Sequence, residues 1–267
     1  MSENVLSAAN AMAKIYNEND RQPIKVIARM IKNIKNLISV SDKHNFIDVG
    51  CGIGNITSLI AKQFQASDVV GIDISREMIN RARKNNFASN LQYLEADAIN
   101  MPFAGRSISC ITFFNSWHLL PHRAQVISEL KRIVIPGGLI MIVGIDRNNL
   151  LSQVIHQKLP LFHKKDYNRH ESLELLETRF QNSGFHKKMH KEYAYNNNMG
   201  TPEETIQFLK NRPYFGLKLL SDDEFNSDLA IFNDWINKKN IKKIINYSIS
   251  SMAIFSKSKD EKVYING

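Results

Sequence analysis

The chain has 267 residues, a length that suits one large domain or two small ones. Apolar residues make up 43% and charged residues 23%, so the chain can bury a core without disulfides and does not have the composition of a disordered protein. The formal charge of +9 is spread over both halves in short runs, which predicts solvated faces and does not favour a nucleic-acid-binding module.

The cysteines and the apolar runs bear on location. Cys51 and Cys110 are the two cysteines, and neither forms a CxxC pair, so neither a disulfide framework nor a zinc site is expected. The first twenty residues lack a basic start followed by an apolar run, and no stretch reaches ~18 uninterrupted apolar residues. We therefore expect a cytoplasmic protein without a membrane span or a bound metal.

The first elements in chain order are helical. Residues 5–38 carry apolar side chains at helical spacing and predict two helices, with Pro23 in the first turn of the second. From Phe46 onward, short apolar runs alternate with helical segments, which is typical of βα units around a parallel sheet. The predicted strands are 45–49, 68–72, 91–95, 108–114 and 138–145, and the predicted helices between them are 54–65, 75–86 and 123–135.

The second half predicts an antiparallel end of the sheet and two insertions. A helix at 170–183, a strand at 185–195 and a last strand at 247–256 continue the core that begins with 41–146. Ligands of open α/β sheets bind beyond the carboxyl ends of the strands, and inserted segments commonly cover them. We interpret the remaining segments as a lid within one domain of residues 1–267: they are 1–40, 147–169 and 196–246.

The strongest motif is the segment from Phe46 to Asn55, FIDVGCGIGN. A strand ending in Asp48 leads into glycines at positions 50, 52 and 54, and a helix follows. Glycine is needed where the backbone turns sharply and must let a ligand approach without a Cβ in the way. The dinucleotide fingerprint GxGxxG would require glycine where Asn55 stands, so a nicotinamide dehydrogenase is disfavoured.

This segment resembles the first motif of the class I methyltransferases, acidic-x-Gly-x-Gly-x-Gly. The resemblance implies a doubly wound α/β fold with a mostly parallel seven-stranded sheet, an antiparallel last strand and helical lid insertions. It also implies S-adenosylmethionine as cofactor and S-adenosylhomocysteine as product. The residues that would cradle the methionine part are Asp48, Gly50, Cys51, Gly52 and Gly54.

Further matches follow in the expected order. Asp73 ends the second strand, 19 residues after Gly54, where a carboxylate can accept hydrogen bonds from both ribose hydroxyls. Asp97 follows the third strand, where the resemblance implies that its side chain and the Ala98 backbone meet the adenine. Ile74 and Met78 complete this half of the expected cofactor site.

The end of the fourth strand carries Asn115, Ser116, Trp117 and His118, the first three assigned to the cofactor. This segment is similar to the ubiquinone and menaquinone biosynthesis methyltransferases, although Ile108-Ser109 replaces their usual Phe-Asp. His118 is the candidate catalytic base, because the pKa class of histidine suits proton removal near neutral pH, and a packed histidine is the equal alternative. In the opening helices, Tyr16 and Arg21 are expected to enter the cofactor site from above.

The favoured function is methyl transfer to a small molecule, at oxygen or nitrogen. An RNA or tRNA methyltransferase is the second interpretation, since short basic runs can contact phosphates. A non-catalytic protein that retains the cofactor pocket is the third. The acceptor and the oligomeric state are not encoded in any motif.

Overall fold

The computed structural model describes residues 23–38, 43–65 and 67–258. Tyr16, Arg21 and the first predicted opening helix lie outside these described residues. Within the described ranges, we find no helix that combines the length and the apolar character of a transmembrane span.

A seven-stranded sheet organises the fold, in the order β3-β2-β1-β4-β5-β7-β6. The first five strands run parallel, whereas β7 lies antiparallel between β5 and β6. This confirms the predicted sheet with its antiparallel end. It also differs from the wholly parallel 3-2-1-4-5-6 order of dinucleotide-binding domains. The strands are β1 Asn45–Val49, β2 Asp68–Asp73, β3 Leu91–Glu95, β4 Ile108–Phe114, β5 Val134–Gly144, β6 Phe185–Gly200 and β7 Ile244–Lys257.

Helices cover both faces of the sheet, because the buried central strands present apolar side chains on each side. On one face, α4 and α7 pack against β4 and β5, and on the other face α1 and α2 pack against β1 and β7. The helices are α1 Ile24–Lys35, α2 Asn55–Gln63, α3 Arg76–Asn85, α4 Arg123–Ile133, α5 Val154–Lys158, α6 Pro160–Tyr167, α7 Leu173–Gln181, α8 Pro202–Lys210, α9 Phe215–Lys218 and α10 Asp222–Lys239. Short 3₁₀ turns occupy Trp117–Leu119 and Arg147–Ser152.

Helix α1 corrects part of the lid assignment of residues 1–40. Ile27, Ile31 and Ile34 recur at helical spacing and are buried against the sheet, so α1 is a layer of the core. Asn33 on the same helix donates a hydrogen bond to the hydroxyl of Tyr193 on β6, at 2.7 Å. A helix fixed to the sheet in this way is not part of a lid.

The last two strands are longer than predicted. Their pairing continues through Asn196↔Tyr247 and Asn198↔Ile245 to Gly200↔Ile244, so 196–200 and 244–246 belong to a hairpin and not to the insertion. The helix predicted at 123–135 ends at Ile133, and Pro136-Gly137-Gly138 lies inside β5, where the pairing with β4 shifts register. This Pro-Gly-Gly segment therefore forms a bulge near the start of β5.

The two inserted segments pack on each other and form what we call the cap unit, residues 147–169 and 201–243. Phe162 from the first segment and Phe225, Leu229 and Phe232 from the second share one apolar cluster. The fully buried Asp228 of α10 accepts hydrogen bonds from the backbone of Leu161 and Phe162, at 3.0 and 2.8 Å, and so caps the start of α6. The cap unit thus has its own small core beside the sheet.

Candidate functional site

The glycine loop between β1 and α2 lies against the ends of the neighbouring strands. Gly50 has φ +70°, and a Cβ there would lie 2.5 Å from the Cβ of Ser116 at the end of β4. Gly54 has φ +84°, and a Cβ there would overlap the hydroxyl of Tyr93. That hydroxyl donates to the Gly54 carbonyl at 3.0 Å. The loop is therefore held in a conformation that only glycine adopts without strain, close against Ser116 and Tyr93.

Asp73 joins the end of β2 to this loop. Its carboxylate accepts hydrogen bonds from the backbone N–H groups of Gly52, at 3.0 Å, and of Ser75, at 2.9 Å. Burial raises the pKa of Asp73, and these two hydrogen bonds counteract part of the rise. Because two carboxylate oxygens offer about four acceptor sites, lone pairs remain for two hydroxyl groups of a ligand.

Asp48 lies beneath the loop and not on its surface. Its carboxyl group is 2% exposed and accepts hydrogen bonds from the hydroxyls of Thr57, at 2.6 Å, and Thr112, at 2.8 Å. Burial raises the pKa of Asp48 to about 6, against the opposing effect of the two threonine hydrogen bonds. The group therefore ties α2 and β4 to the end of β1, and its side chain is enclosed by protein.

The residues predicted for the adenine side lie at the end of β3 and beside the glycine loop. Asp97 follows β3, whose Glu95 pairs with Asp73, so the two acids stand at neighbouring strand ends. Asp97 is half-buried and accepts from the backbone of Ile99 at 3.2 Å, and Ala98 is buried. Met78 packs with Ile53 of the glycine loop.

Three expected residues direct their side chains into the protein. Cys51 packs with Tyr93 in an apolar cluster beneath the loop. Ser116 donates to the carbonyl of Val49 at 2.5 Å. Trp117 lies edge-on against Phe113, and its indole N–H donates to Glu171 at 3.0 Å. Ligand contacts from these three would come through the backbone or through the shape that the side chains impose.

Asn115 marks the junction between the loop and a cavity. It has φ +53°, and its backbone N–H donates to Val143 of β5 at 2.8 Å. Asn115 and His118 line a cavity, partly open to solvent, which extends under the cap unit. Phe215 of α9 lines the same cavity and packs on Ile53 and Met78, so the cap unit reaches the glycine loop.

A histidine cluster forms one wall of the cavity. His118 stacks on His170, with ring centroids 4.3 Å apart, and Nδ1 of His170 lies 2.8 Å from the carbonyl oxygen of Ile145. The carboxylate of Asp166 lies 3.4 Å from Nε2 of His170 and 3.6 Å from Nε2 of His156. Arg169 pairs with the other oxygen of Asp166 at 2.6 Å.

Burial sets the protonation of this cluster. It lowers the pKa of His156 to about 3, so that ring is neutral near pH 7. Burial opposes ionisation of Asp166, but the hydrogen bond with His170 and the neighbouring positive charges outweigh it and hold the pKa of Asp166 well below its usual range. In the described part of the chain, no three histidine, cysteine, aspartate or glutamate side chains are grouped so as to hold a metal ion.

The arrangement fits an adenosyl ligand. Gly50 and Gly54 let the loop lie close against Ser116 and Tyr93, and Asp73 and Asp97 stand at the ends of adjacent strands with acceptor oxygens. A ribose hydroxyl pair and a base edge require acceptors of this kind at this edge of the sheet.

Comparison with known proteins gives the same reading. Residues 47–142 match a family model described as a methyltransferase domain. Residues 47–142 form a methyltransferase domain, and the sheet has the class I methyltransferase fold. This class takes its methyl group from S-adenosylmethionine, as the resemblance of the glycine loop implied.

Two curated relatives and one solved structure are similar to this chain. The chain is 31% identical over 130 residues to the methyltransferase GfsG of Streptomyces halstedii, covering 47% of this chain and 46% of the relative. It is 27% identical over 135 residues to a demethylmenaquinone methyltransferase of Staphylococcus saprophyticus, covering 50% and 57%. The YcgJ protein of Bacillus subtilis superposes with a TM-score of 0.61 at 14% identity, covering 87% of this chain and 99% of that one. The matches therefore span about half the length of the curated relatives.

Several residues that shape the domain were not singled out from the sequence. Tyr93, Thr57 and Thr112 hold the loop and Asp48, and Asp166 holds the histidine cluster. In β7, the alternation of buried and exposed residues is a signal that was overlooked. Asn246, Ser248 and Ser250 are buried polar residues on the same face of the strand as the buried Ile244 and Met252. The other contacts join segments that are distant in sequence and leave no local pattern.

Proposed function

We propose that this chain transfers a methyl group from S-adenosylmethionine to a small-molecule acceptor bound in the cavity beneath the cap unit. The observation that carries the proposal is the junction at Asn115 and Ser116. Ser116 contacts the glycine loop, whereas Asn115 and His118 line the cavity. A donor on the loop and an acceptor in the cavity would meet at that strand end, which is where open α/β sheets bind their ligands.

The proposed cofactor contacts divide into three groups. The backbone of the glycine loop contacts the cofactor. Asp73 and Asp97 accept hydrogen bonds from the cofactor, and Met78 and Ile74 lie beside it. The side chains of Asp48, Cys51, Ser116 and Trp117 support this site from within the protein. The full set is Tyr16, Arg21, Asp48, Gly50, Cys51, Gly52, Gly54, Asp73, Ile74, Met78, Asp97, Ala98, Asn115, Ser116 and Trp117.

When bound, S-adenosylmethionine supplies a methyl carbon that is already activated by the positive sulfur. The protein therefore has to align the acceptor's nucleophilic atom behind that carbon and to exclude water. The new bond joins the acceptor oxygen or nitrogen to the methyl carbon as the sulfur–carbon bond breaks. His118 accepts the proton of the acceptor group. The ring of His170 stacks on His118 at 4.3 Å and holds it in position.

The cap unit favours a compact acceptor over a nucleic acid. Its apolar cluster places α5, α6 and α9 around the cavity, which leaves space for a small molecule beside the sheet. The proteins that the chain resembles include one named for action on demethylmenaquinone, a small molecule. An RNA acceptor and a non-catalytic role are outcomes that the experiments below distinguish.

Binding of the cofactor is tested by thermal shift with S-adenosylhomocysteine, NAD and NADP. Stabilisation by the first at 100 times its Kd corresponds to about 2.7 kcal/mol, and none is expected with the other two. Asp73→Asn should remove most of that stabilisation, because it weakens the acceptor for the ribose. Asp68→Asn is the matched control, since Asp68 lies exposed at the opposite end of β2 and pairs with Lys43 at 3.0 Å. An equal shift in all three proteins would contradict the role of Asp73.

Transfer is tested with methyl-labelled S-adenosylmethionine and an extract that contains both metabolites and RNA. We expect label in the small-molecule fraction that depends on the protein and survives ribonuclease treatment. Label confined to ribonuclease-sensitive material would replace the proposal with RNA methylation. Tight binding of S-adenosylhomocysteine without label in any fraction would indicate a non-catalytic role.

A further inference from the structure

Three buried polar atoms in the cavity have no hydrogen-bond partner within the described ranges. They are Nε2 of Gln153, Nδ1 of His156 and Oδ1 of Asn246. The three residues are 4%, 4% and 1% exposed, and all of them line the cavity. Buried polar atoms are nearly always paired, and an unpaired one costs more free energy than a hydrogen bond returns. Three such atoms in one cavity point to a ligand that supplies their partners.

The protein holds these atoms in defined orientations. Gln153 precedes α5 and His156 follows one turn later, so both lie on one face of that helix. The amide of Asn246 donates to Oε1 of Gln153 at 3.0 Å, which leaves the donor of Gln153 and the acceptor of Asn246 unused. Nε2 of His156 faces Asp166, so the neutral ring carries its proton there and presents Nδ1 as an acceptor.

We call these three residues the polar subsite. Its Asn246 is distant from the end of β5, where the sheet and the cofactor loop meet. Ser251 of β7 pairs with Gly144, the last residue of β5, and Asn246 lies five residues further along β7. At a rise of ~3.3 Å per residue, this is about 16 Å along the strand. Asn246 therefore contacts a part of the acceptor other than the atom that receives the methyl group.

Charge narrows the class of ligand. Asp166 and Arg169 are the charged side chains in the lining of this cavity, and they pair with each other at 2.6 Å. Because these two opposite charges cancel, the lining gives no net attraction to a charged ligand. One donor and two acceptors suit a group such as a pair of hydroxyls or a carboxamide.

We infer that the methyl acceptor is a neutral, water-soluble molecule whose hydroxyl or carboxamide groups bind Gln153, His156 and Asn246. The inference rests on the proposed function and names the substrate class for that same cavity. It separates this chain from the demethylmenaquinone methyltransferase that it resembles, because a long apolar chain bound here would leave the three polar atoms unpaired.

The first test removes the polar groups of Gln153 and Asn246 and keeps the volume of their side chains. The double variant Gln153→Met, Asn246→Leu replaces both hydrogen-bonded partners by apolar side chains of similar size. We expect its melting temperature to equal or exceed that of the wild type, because two unpaired buried atoms are gone. The stabilisation by S-adenosylhomocysteine should be unchanged. Gln157→Met is the control, since Gln157 is exposed on the same helix and bonds the Leu151 carbonyl.

The second test uses a metabolite extract split between an aqueous methanol phase and a chloroform phase, each supplied with methyl-labelled S-adenosylmethionine. We expect label in the aqueous phase, in uncharged products, and at least tenfold less of it with the double variant but not with Gln157→Met. Label in the chloroform phase, or in charged products, overturns the inference and leaves the proposed function standing. No label in either phase overturns the proposed function itself.

The melting temperature and the labelling rate of the double variant also test the inference. A double variant that melts well below the wild type, or that labels the aqueous products as fast as the wild type does, shows that the three atoms serve the fold or bind only water. Either result overturns the inference.

Discussion

Replacing Asp48 by asparagine should stabilise this protein at neutral pH. The carboxyl group is 2% exposed, and its partners are the hydroxyls of Thr57 and Thr112. Asparagine keeps the shape of aspartic acid and carries no charge. A threonine hydroxyl can accept a hydrogen bond as well as donate one, so both threonines can remain paired with the amide.

The magnitude follows from the pKa of Asp48. Burial raises it from 3.8 to about 6, and each pKa unit is worth about 1.4 kcal/mol. The raised pKa means that the folded state prefers the protonated group. Stability from this site is therefore fully present below pH ~4 and lost as the pH rises through about 6. Above that pH, the ionised carboxylate costs up to about 3 kcal/mol, which Asp48→Asn removes.

Urea unfolding at a series of pH values checks this expectation. The free energies of unfolding of wild type and Asp48→Asn should agree near pH ~4 and diverge between pH ~4 and ~7, with the variant more stable above. Asp68→Asn serves as the exposed control and should show no such divergence. A pH-independent difference, or an asparagine variant that is less stable at neutral pH, would refute the reasoning about burial.

Two further substitutions probe the loop and the proposed base. Gly54→Ala should lower the free energy of unfolding in urea by roughly 1–3 kcal/mol, because the residue has φ +84° and the new Cβ meets the Tyr93 hydroxyl. Gly144→Ala is the control, since its Cβ would meet nothing within 4 Å, and equal losses in the two variants would contradict the assignment. His118→Gln should lower kcat by roughly 10²–10⁴-fold with the S-adenosylhomocysteine shift intact, and a rate that is unchanged across the pH range would exclude His118 as the base.

The cofactor half of the site was predictable because its signals are local. A buried strand, a glycine turn and a helix follow each other within ten residues at Phe46–Asn55, and Asp73 ends the next strand. Parallel strands then bring these residues to one edge of the sheet without further information. The predicted strands β1 to β5 and the antiparallel end of the sheet are confirmed for the same reason.

The cavity could not be predicted in this way, because it depends on tertiary contacts. His118 lies in a 3₁₀ turn, Asp166 in α6 and His170 in the segment after α6, and these three positions share no sequence pattern. The role of α1 was misassigned because an amphipathic stripe shows that a helix is buried but not which surface buries it. The extension of β6 and β7 was missed because buried serine and asparagine read as loop residues.

The long β6–β7 hairpin has an evolutionary consequence. Its inner portion, such as Met252 against Val143, completes the sheet, whereas its outer portion around Asn246 supplies the wall of the cavity. Since a period of two residues separates one face from the other, exchanges at Asn246 or Ser248 change the lining of the cavity and leave the strand pairing intact. The cavity lining can thus diverge through the outer part of β6 and β7 alone, while the glycine loop and the strand ends beside it stay as they are.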